Sequence, residues 1–218
     1  MKEKVNGVDL YYSKLGKGEP LLLIHGHHLD GGMFDKIVSP LSLYYTVYVL
    51  DMRGHGLSAG DIAEHYQVEV EDIYAFIKQL GLEGCYCFGF DAGGLAAMML
   101  ASQHPDAFKK LIVSGVFVNG RGIRPYHYLT EGFHRFMRLD RDSRVELTES
   151  FMAEDTLRKI QTPTLCVVGE KDWVKVEHVR WYSQLMPNGR LIIMPRQTHN
   201  SYTVKSLKLL ELIKDFCK

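Results

Sequence analysis

The chain has no net charge and no long apolar run. Its 218 residues hold 26 lysines and arginines against 26 aspartates and glutamates, so no net field attracts nucleic acid or an anionic membrane. The N-terminal segment MKEKVNGVDLYY lacks an apolar signal core, and no apolar stretch approaches the roughly 20 residues that span a bilayer. The sequence therefore predicts a soluble, intracellular protein that binds neither nucleic acid nor membrane.

Cysteine is scarce, and its positions form no recognised metal or disulfide pattern. The four cysteines are Cys85, Cys87, Cys166 and Cys217. Three of them fall inside apolar, strand-like runs, without the paired spacing of a zinc site or the loop-rich framework of a disulfide-stabilised domain. These features favour a reduced, cytoplasmic setting.

Apolar runs alternate with amphipathic segments along most of the chain. The opening residues alternate in hydrophobicity and break at GKGEP, which predicts an antiparallel hairpin at a sheet edge. Runs such as LLLIHG and TVYVLD are apolar on both alternating faces, as parallel strands covered by helices are. Further strands are predicted at 85–88, 111–114, 165–168 and 191–194, and helices at 68–80, 93–104, 177–185 and 207–216. This order predicts an α/β fold with a mostly parallel, doubly wound sheet.

Residues 116–160 interrupt this rhythm. The stretch is polar, aromatic and rich in arginine, and it contains no clear buried strand. It is predicted to be a small, mostly helical cap inserted over the carboxyl edge of the sheet, where open α/β sheets bind ligands. Residues 1–115 and 161–218 would then form the core.

The string GFDAGG lies between a predicted strand and a predicted helix. Gly89-Phe90-Asp91-Ala92-Gly93 fits the pattern small, any, nucleophile, any, small that marks a nucleophile elbow. Glycine is required there because the backbone of the nucleophile is strained and the strand and helix approach closely. The nucleophile position holds Asp91 where a serine would be expected. The start of the following helix favours negative charge by roughly 0.3 to 1 kcal/mol, which would help to keep this aspartate ionised.

Two further residues complete a triad in chain order. VVGEKD places Asp172 after a predicted strand, and MPRQTHNS places His199 after the last one, which gives the order nucleophile, acid, histidine. HGHH and DMRGHGLS follow the first two long buried strands and agree with this pattern. The adjacent side chains of His27 and His28 are expected to point apart, and no third ligand is evident, so no metal site is predicted.

These motifs resemble the α/β-hydrolase superfamily over nearly the whole chain, in particular its small-capped bacterial members. In many of those relatives the elbow reads glycine, any, serine, aspartate, glycine, glycine. An aspartate at the nucleophile position resembles the haloalkane dehalogenase and epoxide hydrolase branches, in which the carboxylate is the nucleophile. The resemblance implies that the backbone N–H groups of His27 and Ala92 form the oxyanion hole.

The chain also departs from both branches. Dehalogenases of this kind usually carry a tryptophan directly after the nucleophile, whereas Ala92 stands there in this chain, which disfavours dehalogenation. Epoxide hydrolases supply tyrosines from the cap to protonate the leaving oxygen, so Tyr126 and Tyr128 are candidates for substrate binding. The alternative is that both tyrosines only pack the cap onto the core. Trp173, beside the predicted triad acid, is expected to be a packing residue.

Three hypotheses follow. The first is a cofactor-independent hydrolase of a small molecule with an electrophilic carbon, such as an epoxide or an alkyl halide. In it Asp91 forms a covalent ester, His199 activates water, and Asp172 orients the imidazole. The second is an ester or thioester hydrolase with an atypical elbow. The third is a ligand-binding or interaction protein on a hydrolase scaffold, with Asp91 satisfied by helix amides, because a fold does not guarantee its usual activity.

Overall fold

The computed structural model describes residues 1–63, 65–124 and 151–218. These residues form an eight-stranded sheet in the order β1-β2-β4-β3-β5-β6-β7-β8. The strands are β1 (Lys2–Val5), β2 (Val8–Leu15), β3 (Glu19–Ile24), β4 (Tyr45–Leu50), β5 (Cys85–Phe90), β6 (Phe108–Ser114), β7 (Thr164–Gly169) and β8 (Gly189–Met194). β1 pairs with β2, and β2 with β4, in antiparallel fashion, whereas all pairs from β4 to β8 are parallel. The predicted mostly parallel sheet with an N-terminal hairpin is confirmed.

Helices cover both faces of the sheet. They are α1 (Asp35–Leu41), α2 (Tyr66–Leu80), α3 (Asp91–Gln103), α4 (Glu154–Arg158), α5 (Val176–Leu185) and α6 (Leu210–Phe216). Two short 3₁₀ turns, Gly31–Phe34 and Gly120–Gly122, lie between them. No helix among the described residues is both long enough and apolar enough to cross a membrane.

Successive side chains of a strand point to opposite faces, and β3 shows how this builds two cores. Leu22 and Ile24 belong to the apolar cluster on one side of the sheet, and Leu21 and Leu23 to the cluster on the other. All four are fully buried. The uninterrupted apolar runs of the sequence therefore reflect strands that are covered on both faces.

The element boundaries differ from the predicted ones by a few residues. The hairpin turn lies at Asn6 and Gly7, which both have positive φ, and the GKGEP break connects β2 to β3. α2 begins two residues before its predicted start and ends as predicted at Gly81, which adopts the left-handed C-cap conformation. The last helix begins three residues later than predicted.

Strand register brings distant loops to one edge of the sheet. Ile24, the last residue of β3, is paired with Leu50 of β4 and with Gly89 of β5. In the same way, Gly169 at the end of β7 is paired with Met194 at the end of β8. The loops that leave these strands therefore meet at the carboxyl edge, although they are separated by up to 170 residues of sequence.

The structure describes only the two ends of the predicted cap insertion. Residues 116–124 contain the turn Gly120–Gly122, and residues 151–160 contain α4. Tyr126 and Tyr128, the predicted substrate-binding residues, lie outside the described residues. The division of the chain into core and cap stays a prediction.

Candidate active site

Asp91 occupies the sharp junction between β5 and α3. β5 ends at Phe90 and α3 begins at Asp91, whose φ of 50° lies in the left-handed region. A non-glycine residue there is strained, and such strain is concentrated at functional sites. A Cβ atom on Gly93 would lie 2.3 Å from the backbone oxygen of His25, and one on Gly89 would lie 2.6 Å from Gly94 Cα. The glycines on both sides of the aspartate therefore permit the close approach of strand and helix.

The two carboxylate oxygens of Asp91 have different surroundings. Oδ2 accepts a hydrogen bond from the backbone N–H of His27 at 3.2 Å, and the N–H of Ala92 also stabilises the charged form. Oδ1 lies 4.0 Å from Nε2 of His199. Burial raises the pKa of Asp91 above its usual value, although the charge of His199 and the two amides oppose this rise. One oxygen is thus held by the backbone amide of His27, and the other lies near the imidazole of His199.

His199 is held by Asp172 on the other side of its ring. Nδ1 of His199 lies 2.9 Å from Oδ1 of Asp172, a fully buried residue. Burial disfavours a charged imidazole, but the hydrogen bond and the negative charge of Asp172, assisted by Asp91, outweigh it and raise the pKa of His199 above its usual value. Asp172 Oδ1 also accepts the N–H of Val174 at 2.9 Å, which fixes the carboxylate. The three residues form a chain of polar contacts in the triad order.

Aromatic rings and a glycine surround the imidazole. The ring centroid of Trp173 lies 4.4 Å from that of His199, and the ring of Phe90 lies 4.7 Å away. Gly115, at the end of β6, has a φ of 65°, and a Cβ atom there would lie 2.7 Å from His199 Cε1. Trp173 was expected to be a packing residue, and it packs against the imidazole of His199. Motif order could not reveal these contacts, because they join loops that follow four different strands.

His25 joins the loop after β3 to the loop after β4. Its Nδ1 lies 2.8 Å from the carbonyl oxygen of Gly26, and its Nε2 accepts the N–H of Met52 at 3.0 Å. Because Nε2 must be an acceptor, Nδ1 carries the proton and donates to Gly26. Burial lowers the pKa of His25 to about 4, which keeps the ring neutral. The His27 backbone is thereby positioned next to Asp91.

One detail of the histidine prediction was wrong. The rings of His27 and His28 do not point apart, and their centroids are only 3.8 Å from each other. The reason is the left-handed conformation of His28, which has a φ of 57° and reverses the direction expected for an extended chain. Even so, no three histidine, cysteine, aspartate or glutamate side chains within the described ranges are arranged to hold a metal ion.

Fold and site together define the class of this protein, and comparisons with known proteins agree. A family model described as alpha/beta hydrolase fold matches residues 19–132, more than half of the 218 residues. The chain belongs to this family and is an α/β-fold hydrolase.

Its relatives by sequence are hydrolases with different names. The chain is 26% identical over 255 residues to serine hydrolase BPHL of Mus musculus, a match that covers 99% of this chain and 85% of the relative. It is 30% identical over 147 residues to the pimeloyl-(acyl-carrier protein) methyl ester esterase of Vibrio vulnificus, covering 60% of this chain and 56% of the relative. It is 32% identical over 124 residues to the N-formylmaleamate deformylase of Pseudomonas putida, covering 56% of this chain and 46% of the relative. The chain thus spans only about half the length of the last two relatives.

Solved structures share the whole fold. An enzyme described as Est816, which degrades N-acyl homoserine lactones, superposes with a TM-score of 0.83 at 21% identity, covering 99% of this chain and all of the other. The meta-cleavage product hydrolase CumD of Pseudomonas fluorescens gives a TM-score of 0.82 at 17% identity, covering 100% of this chain and 97% of the other. At these identities the likeness shows a common fold.

Proposed function

We propose that the protein hydrolyses a small molecule through a covalent ester on Asp91. The observation that carries the proposal is the position of the Asp91 carboxylate, with Oδ2 on the amide of His27 and Oδ1 4.0 Å from His199 Nε2. A carboxylate needs no general base to become a nucleophile, because it is ionised at neutral pH unless its pKa is raised by several units. This proposal assigns the nucleophile, base and orienting residue to Asp91, His199 and Asp172.

In the first step Oδ1 of Asp91 attacks an sp3 carbon of the substrate. A carbon–oxygen ester bond forms, and the bond from that carbon to its leaving group breaks, so the electron pair departs with the leaving group. Oδ2, held by the N–H group of His27, becomes the carbonyl oxygen of the ester. The enzyme is then alkylated on Asp91.

In the second step water attacks the ester carbon of Asp91. Nε2 of His199 takes a proton from the water, and the Asp172 carboxylate stabilises the imidazolium that results. Negative charge develops on Oδ2, where the amides of His27 and Ala92 stabilise it as an oxyanion hole does. Cleavage of the ester releases the product alcohol, which takes the proton from His199, and regenerates the carboxyl group of Asp91.

Substitution of Asp91 tests the assignment. Asp91→Asn keeps the size and the amide contacts but removes the anionic nucleophile, so turnover of an epoxide or alkyl halide should fall at least about a thousandfold. The readout is product formation, with circular dichroism and thermal melting as controls for folding. Retention of the wild-type rate by the Asp91→Asn variant would contradict the proposal.

A second candidate is ester hydrolysis, which the similarity to a methyl ester esterase of Vibrio vulnificus favours. In that reaction the oxyanion would form on the substrate, and Asp91 would not become covalently bound to it. Asp91→Asn would then leave most of the esterase rate. Asp91→Ser is the companion variant, because a gain of esterase activity would mean that His199, Asp172 and the two amides support a serine nucleophile as well.

The proposal also covers the segment between β6 and β7. Residues 116–160 would form a small cap over a small-molecule substrate. Its described ends support this placement, since the ring of Phe151 lies 5.9 Å from that of Phe117, which in turn lies 5.5 Å from Trp173.

A further inference from the structure

Three buried hydroxyl groups meet next to the loop that carries His199, and the steps above use none of them. Ser114 is the last residue of β6, and Tyr202 and Thr203 follow His199 by three and four residues. Ser114 and Tyr202 are fully buried, and Thr203 is 3% exposed. A buried hydroxyl group costs stability unless it is hydrogen-bonded, so its partners show what it holds in place.

The hydroxyl group of Tyr202 is at the centre of this cluster. Oγ of Ser114 donates to it at 2.8 Å, and the carbonyl oxygen of Val167 lies 3.5 Å from it. Oγ1 of Thr203 lies 3.4 Å from the same Oγ of Ser114. Burial and the negative charge of Asp172 raise the pKa of Tyr202 above its usual value, so its hydroxyl group stays protonated. The neutral tyrosine therefore ties its chain segment to the end of β6.

Ser114 is fixed inside the sheet, between the strands that carry the other two members of the triad. It is paired with Phe90 of β5 on one side and with β7 on the other. Phe90 immediately precedes Asp91, and β7 leads to Asp172. The hydrogen bond to Ser114 therefore fixes Tyr202 relative to both carboxylates.

A hydrogen-bonded turn connects Tyr202 to His199. The N–H of Thr198 donates to Oγ of Ser201 at 2.9 Å, and the N–H of Ser201 donates to the carbonyl oxygen of Thr198 at 3.3 Å. These two bonds enclose His199 and Asn200. The backbone of His199 therefore has little freedom to move relative to Tyr202.

The same end of β6 also contacts the imidazole. Gly115 follows Ser114, and a Cβ atom on Gly115 would lie 2.7 Å from Cε1 of His199. The ring thus packs on Gly115, while Ser114 holds the turn through Tyr202. Such a support matters, because a misplacement of about 1 Å in a reacting group can cost about a hundredfold in rate.

We propose that Tyr202 is a positioning residue for ester hydrolysis, and that its hydroxyl group, bound to Ser114, sets the place of His199 beside Asp91. The inference rests on the proposed function, because the water that His199 activates must attack an ester on Asp91. Alkylation of Asp91 needs no imidazole. Loss of the Tyr202 hydroxyl group should therefore affect the second step and not the first.

The test measures the two steps separately, with styrene oxide as the probe. Alkylation is followed in His199→Phe protein by the mass of the intact chain. Hydrolysis is followed in protein that keeps His199, by rapid mixing, acid quenching and the fraction of chains that carry the ester. Tyr202→Phe should slow hydrolysis about tenfold or more, so that the ester accumulates, and should change the alkylation rate by less than about twofold.

A second variant removes the partner of the tyrosine. Ser114→Ala should slow hydrolysis selectively as well, and adding Tyr202→Phe to it should cause little further loss, because both changes remove one interaction. Tyr86→Phe is the matched control. Tyr86 is 2% exposed, and its hydroxyl group donates to Oε2 of Glu19 at 3.0 Å near the amino end of β5, so its loss should leave both rates unchanged.

Wild-type hydrolysis of the ester in Tyr202→Phe would overturn the assignment. An equal slowing of both steps, or the same slowing in Tyr86→Phe, would also overturn it, since either result indicates a general loss of structure. Alkylation of Asp91 in the His199→Phe protein supports the proposed function, whatever the result for Tyr202→Phe. If styrene oxide leaves Asp91 unmodified there, the proposed function fails, and this inference fails with it.

Discussion

Asp91 is held differently by each of its two oxygens, and this asymmetry decides what it can do. The backbone amide of His27 binds Oδ2, so this oxygen is already where negative charge would develop during ester hydrolysis. In the proposed reaction, Oδ1 is left for the substrate. A serine at the junction of β5 and α3 would have a single side-chain oxygen, and that oxygen would have to lie outside the oxyanion hole in order to attack a substrate. The aspartate has one oxygen on the amide and a second one that can attack. It therefore suits attack on an alkyl carbon better than attack on an acyl carbon.

The contact between Trp173 and His199 should affect the charge of the imidazole. A ring face near a cation stabilises it by about 0.5 to 2 kcal/mol, so Trp173→Leu is expected to lower the pKa of His199 and to reduce turnover up to about tenfold. Trp173→Phe should retain most of the turnover and keep the pKa of His199 close to its wild-type value. The pH dependence of kcat, with its lower limb reporting His199, measures the effect. Identical pH profiles for the leucine and wild-type proteins would show that the ring contact has no electrostatic role.

Gly115 is expected to matter for activity more than for folding. Gly115→Ala places a Cβ atom 2.7 Å from His199 Cε1 and adds the strain of a φ of 65°. Gly81→Ala is a matched control, because Gly81 has a φ of 64° and a Cβ atom there would meet nothing within 4 Å. Both variants should lose about 1 kcal/mol of unfolding free energy from backbone strain, but only Gly115→Ala should also lose most of its turnover. Equal kcat values in the two variants would contradict the positioning role of Gly115.

At the scale of elements, the buried face of α2 includes a carboxyl group, that of Glu69. Apolar or aromatic residues recur at 66, 73, 76 and 80 along its buried face, and Glu69 occupies a position of that same stripe. The helix therefore packs with a carboxyl group in an apolar face, which costs stability whenever that group must lose its proton.

This cost gives a pH dependence of stability. The pKa of Glu69 is raised from 4.5 to about 8 in the folded state, so the folded protein binds more protons than the unfolded chain between these values. The unfolding free energy should therefore fall as pH rises from about 4.5 to about 8, by a few kcal/mol at roughly 1.4 kcal/mol per pKa unit. Glu69→Gln should flatten this slope in urea unfolding, whereas Glu71→Gln, an exposed position of the same helix, should not. Parallel slopes in wild type and Glu69→Gln would refute a protonated Glu69.

The elements themselves were largely predictable, and their side-chain neighbours were not. Residues 21–24 of β3 are all apolar, as is nearly all of β5, and Gly81 marks the end of α2, so local pattern located these elements. The contact of Trp173 with His199 depends on how loops after different strands meet, which no local pattern contains. Glu69 was detectable as a glutamate at a stripe position. That its Oε2 has no hydrogen-bond partner in the described part of the chain follows only from the pairing of Arg53 with Asp72.

At the scale of the whole molecule, the parallel sheet assembles the site from segments that are far apart in sequence. His27 follows β3, Asp91 follows β5, Asp172 follows β7, and His199 follows β8, all at the carboxyl edge. The meeting of Asp91, Asp172 and His199 could be predicted from their order, because this edge is where the fold binds ligands. The substrate-facing part could not, because the predicted insertion has no strand pattern and its tyrosines lie outside the described residues.

The most direct measurement is the mass of the peptide that contains Asp91, taken from His199→Phe protein after incubation with an epoxide that the wild-type enzyme turns over. Because this variant cannot activate water, the ester should accumulate, and the peptide should gain the full mass of the epoxide. The same peptide from an Asp91→Asn, His199→Phe double variant should remain unmodified. An unmodified Asp91 peptide in the His199→Phe protein, for an epoxide that the wild type hydrolyses, would contradict the covalent aspartyl ester.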